Sequence, residues 1–391
     1  MGERRRWGVI VAFAGVAAVT QMVWLTFAAV TTPAATHYAV SSSAIGWLAQ
    51  PFVFVYVLLA IPAGLLLDRN LRLWLGVGGA LTAVGALVRA VGGSYGALLT
   101  GAFIAAVAQP LVLNAVTGVV AQYLPERERP NGIAFASASV FAGMVLAFVL
   151  GIVFSHPSQM PELVAVQAGL AVLAALGLVA GLRARAPFAS TSTPLGVSAF
   201  AAAWRRPLIR LLCAFIALPF GVFIALTTWT QSLLKPAGVS ADTAGAILIA
   251  MVLAGVAGSA ILPVWAARHA REVSLARIAV LATAAACLLL AVAPGTFSAF
   301  ASLVVVGFLA LSVLPIVLEL TERGAPDSES TASGLIWLAG NVGGLVVASI
   351  TGLVSGLPHL AFAVLALGAL SSLPTLRALR SPVAALSPVR R

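Results

Sequence analysis

Long apolar runs alternate with short polar breaks along the whole chain. The runs lie at roughly 8–32, 43–67, 71–91, 95–122, 131–154, 162–183, 207–234, 241–266, 273–293, 296–320, 330–355 and 358–379. A helix needs ~20 mostly apolar residues to cross the hydrocarbon core of a bilayer, and every run meets that length. The third and fourth runs are separated only by VGGSYG, and the last two only by SGLP. The pattern predicts an all-α membrane protein of twelve transmembrane helices. The longest break, RARAPFASTSTPLGVSAFAAAWRRP at 183–207, is rich in Pro, Ser, Thr and Arg. It predicts a linker over 184–206 that joins a six-helix half at 1–183 to a second at 207–391. Within it, VSAFAAAWRR reads as a short surface helix with its arginines at the lipid head groups.

Composition agrees with that picture. Hydrophobic residues make up 61% of the chain and charged residues 8%, with a mean hydropathy of +1.08. Soluble domains carry roughly 25% charged residues, so this chain cannot coat a surface facing water. The net charge of +11 comes from short arginine clusters in the breaks and not from a face that would bind nucleic acid. Apart from Arg89 and Lys235, every Lys and Arg falls on one side when the runs are threaded back and forth. By the positive-inside rule that side is cytoplasmic and holds both termini, as expected for a protein of the cell inner (plasma) membrane. The basic start MGERRRW leads into a run of about 25 residues without a convincing A-x-A site. It is therefore expected to be a retained first span and not a signal peptide. Cys213 and Cys287 lie inside apolar runs, which argues against a disulfide framework.

Polar side chains inside the runs carry the candidate chemistry. The stretch TQMVWLTFAAVTT sets Gln21 and Trp24 in the first run. Gln109, Asn114, Thr227, Thr228, Trp229, Gln231, Trp337 and Asn341 are similarly placed, with Gln109 and Asn341 close to mid-depth. Polar groups in spans face the bundle interior or a cavity. No Asp, Glu, Lys or Arg lies near the middle of any run. A proton-driven carrier generally has a titrating group there, so the arrangement favours an uncoupled or gradient-driven carrier. Trp24 and Trp229 could present ring faces to a quaternary ammonium group. Gln21, Gln109, Asn114 and Asn341 could bond a ligand hydroxyl. Trp7, Trp74 and Trp265 sit near run ends, as an interfacial aromatic belt would. Prolines 51, 62, 110, 219 and 315 are expected to bend their helices.

The break after the second run reads GLLLDRNLRL. It resembles the major facilitator loop signature Gly-x-x-x-Asp-Arg-x-Gly-Arg-Lys at Gly64, Asp68, Arg69 and Arg72, with Leu71 in place of the second glycine. Gly64 would allow close helix approach, Asp68 could cap a neighbouring helix, and Arg69 could pair with an acid. The counterpart in the second half, GSAILPVWAARHAR, lacks the aspartate, so a latch there would use Arg268 or Arg271 with Glu319 or Glu322. PERERPNGIAFASASVFAG and PDSESTASGLIWLAGNVGG align as an internal repeat, with Glu128 opposite Glu329 and a small-residue pair ending each. Arg129 and Arg127 belong to the first copy, where setting topology is their alternative role. The resemblance implies the major facilitator fold, two pseudo-symmetric six-helix halves with substrate bound at the midplane between repeats.

A narrower likeness rests on TQMVWLTFAAVTT, GAFIAAVAQPLVLNAVTGVVAQYLPERE, PDSESTASGLIWLAGNVGG and DRNLRLW. These runs resemble the feline leukaemia virus subgroup C receptor-related family. That resemblance implies transport of choline-type amines or haem, through a pocket that falls on Trp24, Gln109 and Asn341. Asn341 stands where that family usually has glutamine, and Ile224 where it has tyrosine. The expectation is a monomeric secondary transporter of a small organic solute in the bilayer, without cofactor or metal. The alternatives are a proton-coupled drug or metabolite exporter, with Glu319 as the titrating group, and a non-transporting membrane receptor. HExxH and P-loop motifs are missing from the sequence, which makes an enzyme the weakest reading.

Overall fold

The computed structural model describes the backbone of residues 2–125, 128–184, 186–188, 197–324 and 329–386. Arg127 lies outside the described residues, as do the side chains of Asp68, Glu322 and Glu329. The chain forms two units, Met1–Leu195 and Gly196–Arg391.

The first unit holds α1 (Gly2–Trp24), α2 (Thr31–His37), α3 (Ser42–Trp47), α4 (Gln50–Arg69), α5 (Leu71–Val91), α6 (Tyr95–Leu113), α7 (Val116–Tyr123), α8 (Arg129–Val153) and α9 (Met160–Leu182). The second holds α10 (Val197–Trp204), α11 (Pro207–Leu234), α12 (Ala241–Arg268), α13 (Glu272–Val292), α14 (Thr296–Ala310), α15 (Val313–Gly324), α16 (Glu329–Leu353), α17 (Pro358–Leu370) and α18 (Leu373–Leu386). Among the described residues, 12 stretches are long and apolar enough to cross a membrane. Local chemistry sets their ends. Asn70 and Ser94 cap α5 and α6 by accepting from the amides of Leu73 and Ala97, and Pro207 and Pro358 open α11 and α17.

The internal repeat is visible in helix pairing. α1 packs on α8 as α11 packs on α16, α5 on α9 as α13 on α17, and α4 on α6 as α12 on α14. The small-residue pair at the end of each sequence repeat explains one of these crossings. A Cβ on Gly143 would strike the carbonyl of Ala18, and one on Gly343 the carbonyl of Ala217. Lipid offers no hydrophobic drive between helices, so close backbone contact of this kind supplies the packing energy. The crossings also set a register for the repeat, with Ala18 equivalent to Ala217. Three and six residues further on, Gln21 is equivalent to Phe220, and Trp24 to Phe223.

Five expected continuous spans are interrupted. The first stops at Trp24, and the others break at Leu48–Ala49, Asn114–Ala115, Leu311–Ser312 and Ser371–Ser372. Side-chain hydroxyls bond back to helix carbonyls at three of the breaks. Thr26 reaches the Val23 carbonyl at 2.9 Å, Ser312 that of Leu309 at 2.6 Å, and Ser372 that of Ala369 at 2.7 Å. Near the fourth-span break, Pro110 removes an amide donor from the ladder. The surface helix predicted in the linker forms as α10, but Ala203 on it is fully buried in the second unit's core while Trp204 is exposed.

Candidate solute site

In the first unit the site is built around the carboxyl end of α1. There the Val23 carbonyl accepts from Thr26 and, at 2.7 Å, from Nη1 of Arg89 on α5. The Arg89 guanidinium also lies 5.3 Å from the Phe27 ring centroid. A cation at a helix carboxyl end interacts favourably with the helix dipole, so this contact stabilises the end of α1. Trp24, the last residue of α1, is half-buried and donates its indole N–H to the Ala49 carbonyl at 3.2 Å. Gln21 is three residues earlier on the same helix face. It is buried, and its Nε2 has no hydrogen-bond partner among the described residues. Gln109 is buried on α6, a helix that packs against α1.

In the second unit Asn341 and Trp337 are one turn apart on α16. The Asn341 Nδ2 donates to the Trp337 carbonyl at 2.9 Å. Trp337, 37% exposed, stands edge-on to Phe220 of α11 with ring centroids 5.9 Å apart. Phe223 follows at 6.4 Å from Phe220. Sequence reasoning named Trp337 but missed Phe220 and Phe223. The repeat could have revealed them, because Phe220 and Phe223 occupy the positions of Gln21 and Trp24.

Several sequence-based assignments change. Trp229 does not offer an open ring face. It is fully buried, donates to the Ala348 carbonyl at 3.0 Å and packs on Gly352 of α16. Asn114 has its amide engaged within its own half. Its Oδ1 accepts from the Tyr56 hydroxyl at 2.8 Å and its Nδ2 donates to the Ala60 carbonyl at 2.9 Å, tying α6 to α4. Ile224 is buried in the packing of α11. Trp7 is more than a belt residue, since its indole N–H donates to Glu128 Oε2 at 2.8 Å and its ring meets Phe135 edge-on.

The loop residues divide. No neighbour would meet a Cβ on Gly64, so it is not the close-approach glycine its motif suggested. The side chain that caps α5 is that of Asn70. Arg72 donates to the Ala184 carbonyl at 2.9 Å and lies 6.0 Å from the centroid of the Tyr123 ring, holding the end of α9 instead of an acid. Arg69 is exposed. Arg129 wraps back to the carbonyls of Leu124 and Ala121 at the end of α7. Glu319 is half-buried in the middle of α15, near the end of the tenth span, Thr296–Thr321, and away from mid-span.

Residues 11–348 match the family described as the Major Facilitator Superfamily. The chain belongs to that superfamily. Its solved relatives in fold include a bacterial homologue of the human lysosomal transporter Spinster, inward-facing and unoccupied. That likeness has a TM-score of 0.71 and 16% identity, covering 99% of this chain and 98% of the other. The nucleoside transporter NupG, solved as a point mutant, gives 0.74 and 13% over 95% of this chain and 100% of its own. Among sequence relatives, Solute carrier family 49 member A3 of Danio rerio is 27% identical over 87% of this chain and 76% of its own length. The Xenopus tropicalis protein of the same name is 25% identical over 88% and 76%. Choline/ethanolamine transporter flvcr2a of Danio rerio is 23% identical over 89% and 80%. As a major facilitator, the protein is a multi-pass membrane protein of transporter fold, and the uncharged polar groups along its spans are the natural candidates for solute contact.

Proposed function

We propose that this major facilitator is a secondary transporter of a choline-like amine, working by alternating access and without proton coupling. One observation carries the reading. The middle of the spans bears amides and aromatic rings and no acid, the buried Arg89 guanidinium at the end of α1 is bonded to the Val23 carbonyl, and Gln21 keeps a buried amide nitrogen unpartnered beside Trp24. A permanent cation needs no counter-charge if rings surround it, since a desolvated cation–π contact contributes roughly 2 kcal/mol. Trp24 supplies such a ring in the first unit. Within the second unit, taken by itself, Trp337 edge-on to Phe220 is more exposed than Trp229. A relative whose name includes choline and ethanolamine supports the solute class. The protein is taken to act as a monomer, with both termini cytoplasmic.

Uptake of labelled choline into proteoliposomes, with and without a pH gradient, tests this. The expected result is saturable flux that changes less than about twofold when the gradient is imposed. Trp24→Ala should weaken choline by about 30-fold, the equivalent of ~2 kcal/mol, while Trp24→Phe retains most of the affinity. Trp74→Ala should leave affinity unchanged. Flux that requires a proton gradient would favour the exporter reading with Glu319 as its acid, and no flux of any amine would favour a receptor. Reporter fusions after Pro33 and Ser158 should lie outside, and after Arg72 and Ser192 inside.

A further inference from the structure

The second span delivers a polar group that neither the loop motif nor the repeat accounts for. Gln50 is the first residue of α4, in the otherwise apolar stretch WLAQPFVF. It is only 5% exposed, yet neither its Nε2 nor its Oε1 has a hydrogen-bond partner among the described residues. Folded proteins leave few buried polar groups in this state, because a stranded amide forfeits its hydration and gains nothing in return. A leucine or methionine there would pack as well without that penalty.

The position of Gln50 suggests a use for these atoms. The carbonyl of the preceding residue, Ala49, is the acceptor of the Trp24 indole N–H at 3.2 Å. The chain at Gln50 therefore runs alongside the ring proposed to hold the amine. Gln21, one turn before Trp24 on the same face of α1, has an equally stranded Nε2. We propose that Gln50 and Gln21 form a hydrogen-bonding subsite for the hydroxyl group of the solute, next to the Trp24 ring. This rests on the amine-transport reading and adds to it a rule of specificity. A hydroxyl is donor and acceptor at once, so one hydroxyl can give its proton to Gln50 Oε1 and accept from an amide Nε2. A carboxylate would leave Oε1 stranded, and an alkyl group would leave every atom stranded.

The test uses the purified full chain with choline, its deoxy analogue ethyltrimethylammonium, and betaine as probes, read by thermal shift and by flux. Wild type is expected to bind choline about tenfold more tightly than either other probe. Gln50→Leu should cut that preference to within about twofold while keeping the binding of ethyltrimethylammonium. It should also leave the ligand-free unfolding midpoint level or raised, since a stranded amide has been removed. An unchanged choline preference in Gln50→Leu overturns the subsite, as does a clearly lowered ligand-free midpoint, which would mean that Gln50 is bonded within the protein. If wild type binds none of the three probes, the amine reading fails and the subsite is judged separately. Gln50→Cys, in a background carrying Cys213→Ser and Cys287→Ser, should react with a small charged methanethiosulfonate. Val53→Cys, buried one turn on, should not. Equal failure of both to react overturns the subsite whatever the solute.

Discussion

Asn114 offers the sharpest separation of architecture from ligand contact. It stands at the break of the fourth span, with its Oδ1 2.8 Å from the Tyr56 hydroxyl and its Nδ2 2.9 Å from the Ala60 carbonyl. Asn114→Leu removes both bonds. The Ala60 carbonyl already belongs to the helical ladder of α4, so losing the second donor costs about 0.6 kcal/mol, the average for a polar contact between membrane helices. Tyr56 is 3% exposed, and its stranded hydroxyl adds about 1–3 kcal/mol. The single substitution should therefore destabilise the protein by about 1.6–3.6 kcal/mol. Tyr56→Phe alone should cost about 1 kcal/mol, and the double variant should fall short of the sum by about 1–2 kcal/mol, because no hydroxyl is left to strand. Reversible unfolding in mixed micelles, run as a double-mutant cycle, measures this coupling. A coupling below about 0.5 kcal/mol would sink the assignment. So would an Asn114→Leu variant that unfolds like wild type yet binds choline weakly, for then the amide faces the solute.

The other expectations are shorter. Gly343→Ala forces a Cβ into the Ala217 carbonyl and should cost about 1–3 kcal/mol or more of overpacking, whereas Gly64→Ala meets open space and should stabilise α4 by about 0.5–1 kcal/mol; reversed signs in unfolding midpoints would refute the packing described. Arg72→Met removes a charged donor from the Ala184 carbonyl and should cost about 1–2 kcal/mol and speed proteolysis just beyond α9, and an unchanged cleavage rate would contradict the anchoring role. Asp68→Asn should slow choline flux several-fold with affinity held within about twofold, as a latch acting on the transport cycle requires, and an affinity loss alone would count against that latch.

The spans were legible because the bilayer imposes a length that hydropathy records directly. The third span, expected at 71–91, forms as Leu71–Val91, with Asn70 capping one end and the positive φ of Gly93 just beyond the other. Breaks within spans were not legible from hydropathy, because the polar residues at them change a window average very little. Thr26 and Ser372 are small polar residues in apolar company. Each hydroxyl takes a carbonyl one turn back at the break, but Thr227 and Ser139 do the same inside unbroken helices, so residue type alone does not mark the position. The repeat was legible from PERER and PDSES, but its structural meaning lay in the glycines that follow, which bring α8 onto α1 and α16 onto α11.

The site was harder to read, for a reason that lies in the membrane itself. A polar side chain in a span has two ways to find a partner, a ligand or a backbone carbonyl of a neighbouring helix, and residue type does not choose between them. Trp24, Asn114 and Trp229 all looked alike in sequence, and all three donate to carbonyls, at Ala49, Ala60 and Ala348. What separates them is the rest of the side chain. The Trp229 ring is enclosed by α16, the Asn114 oxygen is taken by Tyr56, and only Trp24 remains half-open, beside glutamines with unbonded amide atoms. Gln50 escaped notice because it sits near the start of a run beside Pro51, where it passes for an ordinary helix-entry residue. Its burial, and not its identity, gives it meaning. The useful question for polar residues in such spans is therefore which hydrogen-bonding atoms the fold leaves without a partner, and in the first half of this transporter they gather around Trp24.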